Sequence, residues 1–421
     1  MAIDRVGLSI LRQRRVLNLL TVAFLSRVAV AASPLALLIA LADVYGFAIA
    51  AVIDGVYTIL LAGLSPLRAR LLDLIGPRVA LMAMTAASVT SMTLVAWGIS
   101  RAAAWPIILT GIIFAGISAP PLNAALRVSW RQAVSGPEAL KVVHLADSIV
   151  EEIGFILGPS LAGLGFALLS PQVTYRVTVA AAAAAVVLYL IAAKRYRLGE
   201  RPPTGGPDTS DPEMSQDRRT GRARWFGPLA LPVMAPILAP LLVMGLMFGG
   251  LGVFIPAYTI HLGILGWSGV LIGLISVGGV IGGVVHGALT WKAGIWTRHR
   301  IFATGFTIPC CLLIFGLSPW VLAVLLLIAG LFVTPLFGTA FLLVDEYIPR
   351  SMRHEASAWV GASTDLANGV SAICIGLLVA QGEWRTALAI LSAAALVCLI
   401  IVRMSRVPAT GQSSKLLAPT T

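Results

Sequence analysis

Ionisable side chains inside long apolar runs are the residues of this chain best placed to do chemistry. Arg27 lies in the middle of such a run, about 16 Å deep at about 1.5 Å per residue. An unpaired charge at that depth in hydrocarbon costs at least about 2.5 kcal/mol. Asp54 lies at a similar depth in the next run, so the two are expected to pair and cancel most of that cost. Tyr57 is three residues beyond Asp54 and shares its helical face. A second group stands in the stretch HLADSIVEEIG, where His144, Asp147 and Glu151 fall at i, i+3 and i+7. Glu152 is turned from Glu151 by about 100°. Asp147 is expected at the interface, within reach of Arg127, Arg131 or Lys141. Glu151 and Glu152 sit about one turn deeper. Asp365 lies about a third of the way into a further run, with Asn368 three residues on. A carboxyl group in partly apolar surroundings can load a proton on one side of a barrier and release it on the other. Asp54, Glu151, Glu152 and Asp365 are therefore candidate proton carriers. Arg27, Tyr57 and Asp147 are candidates for lining a cavity or forming a charge pair. The competing reading is a buried structural pair for Arg27 and Asp54, and a loop salt bridge for Asp147.

The elements that position these residues are apolar stretches of membrane-spanning length. Twelve are expected, over 16–41, 47–66, 79–99, 106–126, 143–168, 174–193, 235–258, 267–290, 301–317, 320–343, 356–379 and 386–402. Each is near the ~20 residues that cross ~30 Å of hydrocarbon as a helix. With both termini placed inside, the outside segments and the outer span ends that border them hold only Arg101, Arg176 and Arg385. Apart from Arg27, every other Lys and Arg falls inside. That asymmetry is the positive-inside pattern, and it supports the even span count. The expected fold is all-α and integral to the membrane. It places the chain in a bacterial inner membrane, multi-pass, with both termini cytoplasmic.

Composition agrees with a lipid-embedded bundle. Apolar residues make up 58% of the chain and charged residues 11%, against about a quarter charged in soluble domains. The net charge of +12 is scattered over short loops beside the spans. Orientation explains it better than nucleic-acid binding does. Cys310, Cys311, Cys374 and Cys398 all fall in spans and read as small apolar residues, not as a disulfide framework or metal site. His261, His286, His299 and His354 are isolated and are expected as interfacial donors. The glycines of GVLIGLISVGGVIGGVVHG, in the eighth span, point to close helix packing. No cleavable signal peptide, cofactor motif or protein-partner motif is read.

One stretch breaks the apolar pattern. Residues 194–228 are rich in Pro, Gly and charge and divide the spans six and six. The expected organisation is an N-terminal segment 1–15, a six-helix half over 16–193, a linker over 194–234, a second half over 235–402 and a tail over 403–421. Short matches recur in the same order in both halves. Pro121-Leu122 corresponds to Pro335-Leu336, Glu138-Ala139 to Glu355-Ala356, and Tyr175-Arg176 to Trp384-Arg385. A parallel repeat of two six-helix halves is a transporter plan with the ligand path between them.

Two motifs carry a resemblance. Residues 65–80 read SPLRARLLDLIGPRVA. The major facilitator superfamily has a signature here of the form G-x-x-x-D-R-x-G-R-R. Asp73, Gly76 and Arg78 stand in register with it, while Ala69, Leu74 and Pro77 depart from it. Residues 154–163 read GFILGPSLAG, which is similar to the G-x-x-x-G-P-x-x-G-G of proton-coupled drug exporters in that superfamily. Gly154, Gly158, Pro159 and Gly163 match, and Ala162 replaces one glycine. Small residues four apart let helices approach closely, and a proline bends the helix. The chain resembles the superfamily over nearly its full length, and actinobacterial members especially, in SPLRARLLDLIGPR, HLADSIVEEIGFILGP and HEASAWV.

The resemblance implies a gate network at Asp73 and Arg78 and a pivot at the fifth-span glycines. It also implies a central cavity lined by helices 1, 4, 7 and 10, opened to each side in turn. The expected activity is proton-driven export of a small, partly apolar molecule, with proton-coupled import as the alternative. A transporter-like sensor is a further rival. A membrane-embedded enzyme is disfavoured, because HEASA lacks the second histidine of HExxH and no phosphate loop or nucleophile elbow appears. The partners implied are lipid, a small-molecule substrate and protons, with no nucleic acid.

Overall fold

A computed structural model describes residues 9–64, 67–68, 71, 76–196, 227–315, 318–349 and 352–404. Most of the expected linker, the end of the tail and Asp73 lie outside the described residues. Of Pro77, Arg78, Arg127 and His354 only the backbone is described.

Twelve α-helices make up the described chain. They are α1 Arg14–Gly63, α2 Pro77–Ser100, α3 Trp105–Ile117, α4 Leu122–Ala133, α5 Pro137–Leu168 and α6 Pro171–Tyr196 in the first part. In the second they are α7 Met234–His261, α8 Ser268–Ala288, α9 Ile295–Cys311, α10 Pro319–Tyr347, α11 Arg353–Val379 and α12 Trp384–Met404. Nine helices, α8 taken from Leu265 in its leading turn, are long and apolar enough to cross a membrane. The first, 50 residues long, does so twice. Its helix turns at Gly46, which has φ 78° and ψ 164°, a conformation that only glycine adopts without strain. The first span is thus 14–45 and the second 47–63. Tyr45 beside the turn donates its hydroxyl to the Ala103 carbonyl at 2.7 Å. The ninth span is α9 extended by a 3₁₀ turn over Leu312–Phe315.

The fourth span differs from the sequence expectation. The continuous run over 106–126 is two helices, α3 and α4, separated at 118–121. The cause is Pro120-Pro121, which supplies no backbone N–H to the carbonyls four residues earlier. Pro34, Pro159, Pro309 and Pro335 lie inside helices that continue past them, whereas other prolines sit where a helix tolerates them. Pro77, Pro137 and Pro319 occupy the first position of α2, α5 and α10, where no N–H partner is lost.

The described residues fall into two compact units that do not follow the chain-order halves. The first gathers residues up to 196 with Gly249–Ser276 and Gly369–Ala387. The second holds 227–248, Val277–Asn368 and 388–404. Within the first, α4, α6 and the start of α1 close around fully buried Trp130, with the Ser129 and Tyr189 hydroxyls hydrogen-bonded at 2.9 Å. Within the second, the glycines of α8 lay its backbone onto α10. A methyl group at Gly278 would stand 2.4 Å from the Leu327 carbonyl oxygen. His299, expected at the interface, is fully buried there, with Nδ1 3.0 Å from the Thr339 hydroxyl. The cysteines are free thiols, with Cys310 and Cys398 buried.

Candidate functional site

Arg27 and the start of α5 form the charged centre of the first unit. The Arg27 side chain is 8% exposed. Its guanidinium forks onto Asp147, with NH1–Oδ1 at 2.6 Å and NH2–Oδ2 at 3.3 Å. NH2 also stands 3.5 Å from Glu151 Oε2. Asp147 is buried and Glu151 is half-exposed. A bidentate fork of this kind is the strong form of the arginine–carboxylate contact. The cluster sets one cation, from α1, against two carboxylates one turn apart on α5.

This differs from two expectations. Arg27 pairs with Asp147 and Glu151, and the Arg27–Asp54 pair does not form. Depth along the helix brought Arg27 and Asp54 level, but the lateral packing decides the contact, and α5 is seated against the first span at Arg27. Asp147 is buried on that seam, not interfacial among loop arginines.

The glycines of α5 make the seat. A methyl group at Gly154 would stand 2.7 Å from Arg27 Cβ. One at Gly158 would stand 2.8 Å from the Val28 carbonyl oxygen and 2.9 Å from the Ala32 nitrogen. Backbone therefore meets backbone, and the long arginine side chain runs along the seam to reach Asp147. The end of the same motif faces another neighbour. A methyl group at Gly269 of α8 would fall 1.9 Å from the Pro159 carbonyl oxygen, and one at Gly163 2.7 Å from the Gly266 oxygen. Gly154 and Gly158 thus belong to the α1 contact, and Pro159 and Gly163 to the α8 contact. Toward the start of α5, Leu145 and Ile149 are exposed and Glu152 is partly exposed.

Asp54 lies apart from this cluster. It is 6% exposed, and its Oδ1 has no hydrogen-bond partner. Its neighbour Gly55 packs on α11, where a methyl group would meet the Gly369 carbonyl oxygen at 2.7 Å. Tyr57 turns toward α3, with its ring 3.5 Å from where a methyl group on Gly116 would stand. Asp365, in the second unit, is exposed on α11 with Ala358 two turns earlier. The exposed apolar residues Val370 and Leu377 lie roughly 120–140° round that helix. Gly76 precedes α2 as its N-cap, with φ 87°.

Sequence reasoning missed two features. Arg68, which sits beside a family motif but outside its pattern, is buried and bonded to helix carbonyls. Gly269 was visible only as one of many glycines in a glycine-rich span. Among the described residues no group of three or more His, Cys, Asp and Glu is placed to hold a metal ion.

Long apolar helices with a charged cluster buried between two of them have the form of a multi-pass membrane protein. A family model described as Major Facilitator Superfamily matches residues 19–316 and 298–419. The chain belongs to that superfamily and is a transporter, not an enzyme. Solved structures agree in fold. A bacterial homologue of iron transporter ferroportin in inward-facing state has a TM-score of 0.71 at 16% identity, covering 93% of this chain and 98% of that one. The nucleoside transporter NupG gives 0.66 at 14%, covering 94% and 100%. An auto-inhibited POT family peptide transporter gives 0.66 at 13%, covering 94% and 98%. No curated protein matches in sequence.

Proposed function

We propose that this transporter exports a small, partly apolar molecule in exchange for protons, and that Glu151 carries the proton. The observation that supports this reading is the charge balance at Arg27: one buried cation faces two carboxylates at 2.6 and 3.5 Å. Asp147 has the tight fork and stays the permanent partner. Glu151 has the looser contact and the greater exposure, so it is the group free to exchange a proton without breaking the α1–α5 seam. Export is the direction carried by the GFILGP run, which resembles drug-exporting members of the superfamily. In this reading the two six-helix halves of the chain order rock about the substrate path, and Asp73 with Arg78 gates the cytoplasmic side.

The test uses everted vesicles holding an imposed pH gradient, with acridine orange reporting its collapse as a panel of apolar and amphiphilic compounds is added. Compounds that collapse the gradient in wild type should fail to do so with Glu151→Gln, a loss of at least about tenfold. Substrate-for-substrate exchange should persist in that variant. Retained gradient collapse in Glu151→Gln sinks the assignment, and a gradient of the opposite polarity driving uptake would make the protein an importer.

The orientation is checked separately. Reporter fusions after residues 210 and 410 should give cytoplasmic signals, and fusions near Arg101 and Gly263 external ones. This follows from the distribution of Lys and Arg. A signal from outside at residue 210 would rule out six spans on each side of the linker.

A further inference from the structure

The broken fourth span needs a donor that its own backbone lacks. In a continuous helix the N–H of residue 120 would bond to the Gly116 carbonyl, but residue 120 is proline. That carbonyl is nevertheless satisfied. Arg68 NH1 donates to the Gly116 oxygen at 2.8 Å, and NH2 donates to the Leu61 oxygen, near the end of α1. One guanidinium therefore bridges the last turn of the second span and the broken edge of the fourth. Both acceptors sit at helix C-termini, where orphan carbonyls carry partial negative charge and a cation is favoured. The two spans are close enough for one side chain to serve both, since a methyl group at Gly116 would stand 3.0 Å from Leu60 Cβ. Arg68 is 8% exposed, unlike a solvated loop arginine.

We propose that Arg68 is a positioning residue for the transport cycle: it replaces the backbone donor missing at Pro120 and so fixes the angle at which α4 leaves α3. The 118–121 joint is then a bending point held by a side chain. Because a side chain can pivot where a backbone bond cannot, the joint keeps its carbonyl satisfied while the two rods reorient. This inference needs only that the chain is a transporter, and it stands whichever carboxylate carries the proton.

The test is a distance measurement on the full chain in lipid nanodiscs, with Cys310, Cys311, Cys374 and Cys398 replaced by serine. Spin labels go on Ile107 of α3 and Val128 of α4, which are 65% and 51% exposed. The parent should give one narrow distance distribution. Arg68→Gln should widen it about twofold or more, because the joint loses its clamp. Arg68→Lys, with one compact head in place of a fork, should give an intermediate width. Adding Pro120→Ala to Arg68→Gln supplies a backbone N–H for Gly116 and should restore the narrow distribution. A merely structural arginine would not be rescued by a change at residue 120. The proposal is overturned if Arg68→Gln leaves the width unchanged, or if the double variant stays as broad as the single one. It is also overturned if neither can be isolated folded, since the Pro120→Ala change should make Arg68 dispensable for the joint.

Discussion

Gly269→Ala should leave the protein folded but drive it out of the arrangement described here. The added methyl group would fall 1.9 Å from the Pro159 carbonyl oxygen, 2.6 Å from its carbon and 3.1 Å from Ser160 Cα. All three are backbone atoms of α5, so no rotamer change relieves the clash, and α8 must move away. A packed interface forced apart by one methyl group costs about 1–3 kcal/mol. If the seam is closed in only one state of the transport cycle, that cost appears as a population shift of roughly 5- to 150-fold. The measurement is reaction of a membrane-impermeant maleimide with Ser160→Cys on the cysteine-free background. Ser160 lies within the seam, its hydroxyl 3.2 Å from where a methyl group on Gly273 would stand. Labelling should rise at least about tenfold in the Gly269→Ala variant. Gly163→Ala should act the same way, against the Gly266 oxygen. Unchanged labelling with unchanged transport would mean that α8 does not close onto Pro159 and that the seam has no part in the cycle.

Arg27→Met should be the most destabilising single change in the first unit. It leaves Asp147 buried without its partner, and breaking a buried pair from one side costs about 3–5 kcal/mol. Thermal unfolding in detergent should show a large fall in midpoint. Replacing both members, Arg27→Met with Asp147→Leu, should recover most of that stability, because no buried charge is then stranded. The double variant should still transport poorly, since Glu151 has lost the cation that balances it. A double variant that is stable and fully active would reduce the pair to packing. A single variant as stable as wild type would mean that the Arg27–Asp147 contact contributes little to the fold.

The spans were legible in the sequence because hydropathy and loop charge report the same thing along a membrane normal. Twelve crossings follow from apolar length, and the structure keeps them, including the pair joined through Gly46. What lay across the membrane plane was harder to read. Arg27 and Asp54 sit at matching depths, and depth was the only coordinate the sequence offered. Their lateral positions depend on which helix faces which, so the true partner, Asp147, reads in the sequence as a charge-pair candidate, but beside Arg127, Arg131 or Lys141. The GFILGP glycines announced close approach without naming the neighbour, and the structure divides them between α1 and α8. Pro120-Pro121 was in plain view, yet its break was overlooked because the run around it is apolar enough to read as one helix. Arg68 gave no warning, since a loop arginine looks the same whether it meets water or a carbonyl.

At its closest points the contact between α5 and α8 is made of glycine methylenes and peptide carbonyls, flanked by the apolar side chains of Ala162, Phe166, Leu265 and Ile272. Such a surface has no chemical vocabulary. Residues lining a substrate path can be exchanged for larger, smaller, charged or neutral ones without altering what closes against what. If this seam closes during the transport cycle, cargo preference is free to vary independently of it, and directed evolution toward a new cargo should find its useful substitutions away from Pro159, Gly163 and Gly269.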